Sequence, residues 1–159
     1  MRRVLLDAGP LVLFLIGSLR SDLVGNHGKL SGYNLATFHA LCDYLEGFQA
    51  HVSLPNVLTE ASNHIGAGKQ VICEGAHFRL AEYIDKLDEI YCPSREVVSI
   101  PEYQSVGLSD AAILTSAPAF IQSQTAVVTQ DFELYNRLHG VGVECVNIMH
   151  WRTPARWKL

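Results

Sequence analysis

The stretch AVVTQDFELYNRL, residues 126–138, opens as a β-branched apolar run and continues from Phe132 with the apolar spacing of an amphipathic helix. A strand followed directly by a helix is half of a βαβ unit. Thr129 and Asp131 stand at the join, where a strand's carboxyl end meets a helix N-terminus. VECVNI (143–148) reads as the next strand, after a glycine-rich helix end at 140–142.

The same grammar recurs upstream. RRVLLDAG gives a short strand ending at Asp7, and PLVLFLIG a helix with Pro10 in its first turn and Gly17 as its stop. NLATFHALCDYLEGF spaces Leu35, Phe38, Leu41, Cys42 and Leu45 as a helix, with Asn34 as N-cap. AHVSLP reads as a strand, and PNVLTEASNHIGAG as a helix carrying Glu60. A longer amphipathic pattern follows, its stripe being Val71, Ile72, Phe78, Leu80, Ile84, Leu87 and Ile90. EVVSI (96–100) reads as a third strand, and GLSDAAILTSAPAFI as a helix with Asp110 in its opening turn. Strands alternating with helices predict an α/β fold, a central mostly parallel sheet covered on both faces by helices. Residues 18–33 carry three glycines and little periodicity, so they read as a long mobile loop inserted in this scheme.

Composition sets the frame. The chain has 159 residues, 48% hydrophobic and 18% charged, as expected of a single domain over 1–159 with one core. The apolar run after MRR is broken by Asp7 and is shorter than the roughly 20 residues of a membrane span. Cys42, Cys73, Cys92 and Cys145 stand far apart without a Cys-x-x-Cys pair, so neither a zinc ribbon nor a thioredoxin-like site is suggested, and reduced core thiols in a cytoplasmic protein are expected. A net charge of −4 speaks against tight, non-specific nucleic-acid binding by overall basicity.

The chemistry lies in four isolated acids. Asp7, Glu60, Asp110 and Asp131 each sit among small or apolar neighbours, outside any charge run. A carboxylate in such company needs a cation, a helix N-terminus or a proton. In open α/β sheets functional groups gather beyond the carboxyl ends of the strands, so Asp7 and Asp131 are expected at one rim. Several carboxylates at one rim repel, and Mg²⁺ or Mn²⁺, which prefer carboxylate oxygens, relieve the repulsion. Capping of the following helix accounts for Asp7 and Asp131 without function; a dipole-complementing first-turn acid does the same for Asp110. Asn63 and His64 follow Glu60 at helical spacing, and His64 is weighed as ligand or base against an ordinary packed histidine. Ser105 and Ser109 flank Asp110 with no base to activate them. Arg20 and Lys29 in the loop, and Arg152, Arg156 and Lys158 beside Trp151 and Trp157 in the tail (149–159), are cations placed to touch phosphate; a solvated loop and a packed tail explain them equally well.

VLLDAGPLVLFL, LPNVLTEASNHI, GLSDAAIL and AVVTQDFEL together resemble, in order and spacing, the four acidic motifs of PIN-domain ribonucleases, including the VapC-type toxins. The resemblance spans Val4 to Ile148. It implies an α/β/α sandwich and a Mg²⁺- or Mn²⁺-dependent endoribonuclease, the toxin of a toxin–antitoxin pair, with RNA as substrate and an antitoxin protein as partner; apart from the resemblance, apolar helical faces rich in Leu and Phe point to a homodimer as assembly. Carried over by position, Asp7, Glu60, Asp110 and Asp131 become the metal-holding acids and Thr129 the hydroxyl that supports them. Three departures stand out: the 18–33 insert, the tail, and the lack of a second carboxylate in the last motif. A phosphoacceptor receiver domain needs adjacent acids after its first strand, and a haloacid-dehalogenase-like phosphatase needs a second Asp where Gly9 stands. The alternative kept open is a catalytically silent PIN-like module, an RNA-binding or protein-interaction scaffold.

Overall fold

The computed structural model describes residues 1–26, 28–67 and 70–152. Arg156, Trp157 and Lys158 of the tail lie outside the described residues, as do the side chains of Val71, Cys73 and Arg152. Five strands form one all-parallel sheet: β1 (Arg3–Leu6), β2 (Ala50–Ser53), β3 (Asp88–Glu89), β4 (Thr125–Thr129) and β5 (Cys145–Asn147), in the order β3-β2-β1-β4-β5. Such strands are covered on both faces, which is why VLL and TAVVT read as unbroken apolar runs rather than alternating ones.

Side chains still alternate between the two faces. From β1, Val4 and Leu6 enter one core while Leu5 enters the other; from β4, Val128 and Val127 divide the same way. The first core lies under α1 (Ala8–Leu19), α2 (Leu35–Leu45), most of α3 (Pro55–Gly66) and α4 (Gln70–Ile84). The second lies under the single turn α5 (Ser94–Val97), α6 (Tyr103–Thr115), α7 (Ala117–Gln122) and α8 (Phe132–Gly140). The molecule is therefore an α/β/α sandwich. No helix among the described residues is long and apolar enough to cross a membrane.

Three expectations are corrected. The third strand is Asp88–Glu89 rather than 96–100: Glu96 and Val97 belong to α5, which starts after Pro93. In the 18–33 segment, two 3-10 turns (Ser21–Leu23 and Gly28–Leu30) fold Val24, Leu30 and Tyr33 into the first core, so it is a packed excursion. On α4, Leu80 is buried with Ala76, but Phe78 and Ile84 face solvent, so the apolar stripe is narrower than its residue types suggested.

The connections fix where a site can form. From β1 the chain steps outward to β2 and β3, then crosses back to β4 on the other side of β1. The switch point therefore lies between β1 and β4, where the loops part and leave a crevice at the carboxyl ends. The Asp7 backbone N–H donates to the Val128 carbonyl oxygen at 2.9 Å, carrying the β1–β4 ladder up to that rim.

Candidate active site

Asp7 follows β1 and caps α1. Its Oδ1 accepts from the Ala8 N–H at 2.8 Å, and its Oδ2 accepts from the Thr129 hydroxyl at 2.8 Å. Thr129, the last residue of β4, is buried, and its Oγ1 also accepts from the Asp131 N–H at 3.0 Å. One hydroxyl thus ties together the ends of two strands 122 residues apart in the chain. Asp131 caps α8, with Oδ1 accepting from the Leu134 N–H at 2.8 Å. The capping role considered for both aspartates is therefore real.

Asp110 arrives from the other side of the crevice. α6 is broken at Gly107, whose φ of 81° and ψ of 179° suit glycine alone, and the helix that resumes after it places Asp110 in its first turn. Glu60 comes from α3, with its Oε1 3.8 Å from His64 Nε2 one turn on. Asp7, Glu60, Asp110 and Asp131 all line one depression of about 400 Å³ at the switch point, together with His64 and Gln130. Elements scattered from the first strand to the eighth helix bring all four predicted acids to one place.

The acids act on one another. Burial, then repulsion from Glu60 and Asp131, pushes Asp7 up to about 6, against the pull of the Thr129 and Ala8 hydrogen bonds. Burial, then repulsion from Asp7, Asp131, Glu60 and Glu133, pushes Asp110 up to about 7. No lysine or arginine lines the depression among the described residues. Oxygen donors of net negative charge and no built-in counter-cation suit a hard divalent ion. The carboxyls are nevertheless spread around the wall: among the described residues, no three His, Cys, Asp or Glu side chains gather as a ready ligand cluster. Sharing a depression is a looser relation than sharing an ion.

Sequence reading missed Gln130 and gave His64 little weight. A Cβ on Gly9 would lie 2.7 Å from the Gln130 side-chain amide, so that amide packs onto the first turn of α1, beside Asp7. A Cβ there would push the amide aside, a contact that the sequence did not announce. Buried Asn147 reaches the Gln130 carbonyl oxygen through Nδ2 at 3.5 Å and caps the Met149 N–H through Oδ1 at 2.9 Å, closing the depression's edge. Ser105 donates to the Glu102 carbonyl oxygen, a local helix bond.

No family model matches the chain, and no curated protein matches it. Among solved structures, the crystal structure of PAE2754 from Pyrobaculum aerophilum is similar, with a TM-score of 0.52 over 94% of this chain and 91% of that one, at 17% identity. At that identity the likeness is one of fold: both chains share the α/β architecture.

Proposed function

We propose that the chain is a Mg²⁺- or Mn²⁺-dependent endoribonuclease of the PIN-like kind, the toxin of a cytoplasmic toxin–antitoxin pair. The observation that carries this reading is the meeting of Asp7, Glu60, Asp110 and Asp131 in one depression lacking lysine and arginine. Asp7 and Asp131 are held on strand ends by the Thr129 hydroxyl and by helix N–H groups, which leaves them little freedom to swing away. Asp110 and Glu60 close the ring from two helices. A divalent cation, when bound, supplies the positive charge that an RNA phosphate and its attacking water require. Without one, these side chains repel the phosphate. In the hydrolysis, water adds to phosphorus, one P–O ester bond breaks, and the proton released ends on a product oxygen. The antitoxin partner rests on the resemblance of the four motifs, and a homodimer on the helical faces rich in Leu and Phe.

The direct test incubates the purified chain with RNA, with and without Mn²⁺, beside Asp7→Asn and Asp110→Asn. Cleavage that needs the metal and is lost in both variants supports the nuclease. Metal-independent cleavage, or variants as active as the parent, overturns it. The scaffold reading is favoured by one observation, that Asp7 and Asp131 already serve as helix caps; RNA bound but never cut with Mn²⁺ present would establish it.

A further inference from the structure

A second hollow, of about 740 Å³, adjoins the acidic depression, and Glu60 lines both. Its volume falls within the roughly 300–1,000 Å³ range of small-ligand pockets. One wall is a single face of α3, with Asn56, Thr59 and Asn63 at the spacing that stacks side chains along a helix. The segment after β3, Tyr91 to Ser94, forms the opposite lip, and Leu108 and Ser109 complete the wall directly before Asp110.

The chemistry of this groove differs from that of the depression. Glu60 is its one charged residue among those described, so no cation is present to select a phosphate. Amides and hydroxyls that both donate and accept are what the edge of a heterocycle needs. At the lip, Tyr91 is 74% exposed, unusual for so large a ring, and its hydroxyl donates to Glu89 Oε2 at 2.9 Å. That bond anchors one end of the side chain and leaves most of the ring uncovered. Leu108 adds a second exposed apolar surface. Single-stranded RNA is typically recognised by unstacked bases laid on aromatic rings and hydrogen-bonded along their edges.

We propose that this groove is a nucleobase pocket, which takes one unstacked base of a single-stranded RNA, stacked on Tyr91 and read by Asn56 and Asn63. The inference rests on the nuclease reading for its biological sense: a base held here places the adjoining phosphate toward the acids, because Glu60 and the consecutive Ser109 and Asp110 join the two hollows. Tyr91 would be a specificity-determining residue outside the metal-holding set.

The test measures binding rather than cleavage. The full chain is titrated in Ca²⁺, an oxygen-preferring cation that offsets the repulsion of the acids, with a fluorescent 12-nucleotide single-stranded RNA, and with the same strand carrying abasic positions, by anisotropy. Tyr91→Ala is expected to weaken binding of the intact strand about tenfold, within the range for one stacked base. It is expected to leave the abasic strand unaffected, and Tyr91→Phe to keep parental affinity. Since Tyr91 is exposed, a melting curve matching the parent separates this loss from unfolding. Equal binding of both strands by the parent, parental affinity in Tyr91→Ala, or no RNA binding at all overturns the proposal. Tyr91-dependent binding without metal-dependent cleavage would sink only the nuclease reading; metal-dependent cleavage with a silent Tyr91→Ala would sink only the pocket.

Discussion

The Thr129 hydroxyl donates to Asp7 Oδ2 at 2.8 Å while accepting the Asp131 N–H at 3.0 Å, so a single side chain links the Asp7 carboxylate to the Asp131 backbone. Thr129→Val keeps the shape and removes both bonds. It leaves a carboxylate oxygen of Asp7 and a backbone N–H without partners, at a cost of about 1–3 kcal/mol for a buried polar group. The hydroxyl also favours the charged form of Asp7, so its loss moves the Asp7 pKa further upward. Urea unfolding and an NMR titration of Asp7 check both expectations, and Thr129→Ser should restore both.

Stability should fall as the pH rises from about 4 to about 7. Asp7, near 6, and Asp110, near 7, both stand above the usual aspartate value of 3.8. Within that window the folded chain keeps protons that the unfolded chain has released, so deprotonation favours unfolding. Below 3.8 the contribution is constant, and above about 7 the whole penalty stands. Asp7 accounts for about 3 kcal/mol of it. Denaturation midpoints from pH 4 to 8 should show this slope, flattened in Asp7→Asn and Asp110→Asn. If the acids hold a cation, Mn²⁺ should raise the melting temperature more at pH 8 than at pH 5, because it binds the deprotonated carboxylates.

Two glycines of α1 should respond to alanine with opposite sign. Helix propensity favours Ala over Gly by about 1 kcal/mol. At Gly17 a Cβ would meet the ring of Phe38 at 2.5 Å, and Phe38 is buried against α1. Overpacking of that kind costs about 1–3 kcal/mol, so Gly17→Ala is expected to lower stability. At Gly9 the obstacle is the free end of the exposed Gln130 side chain, which can turn away. Gly9→Ala should leave stability unchanged or higher while displacing Gln130 from the depression. Thermal melts of the two variants decide the matter.

The residues that were legible in the sequence are those whose signal is local. Val4 to Leu6 and Ala126 to Thr129 announced buried strands because strands covered on both faces are apolar throughout. Asp7 and Asp131 followed because the first comes directly after such a run and the second one residue beyond it. β3 was illegible: Asp88 and Glu89 are exposed, charged and at the sheet edge, held by backbone pairing to Val52 and Ser53 rather than by any apolar side chain. EVVSI was more strand-like and lost because Pro93 starts a helical turn there, with Val97 as its single buried anchor. Tyr33 and Leu30 were hidden by the glycines around them, which punctuate turns whether or not the turns pack. Gln130 depended on a contact with Gly9, which no period along the chain reports.

Asp131 is where the structural and functional readings can be separated in one position. Its Oδ1 caps α8 through the Leu134 N–H, and asparagine caps about as well as aspartate. Asp131→Asn should therefore unfold within about 0.5 kcal/mol of the parent, while Asp131→Ala loses about 1 kcal/mol. The asparagine also removes a charge that raises Asp7 and Asp110, so both of their pKa values should move down. If capping were its whole role, Asp131→Asn would bind Mn²⁺ and cut RNA like the parent. If the carboxylate belongs to a cation site, the same substitution should abolish RNA cleavage and the Mn²⁺-induced rise in melting temperature while sparing the fold. Calorimetric Mn²⁺ titration and an RNA cleavage assay on the two variants distinguish these outcomes, because the alanine variant alone confounds a lost cap with a lost ligand.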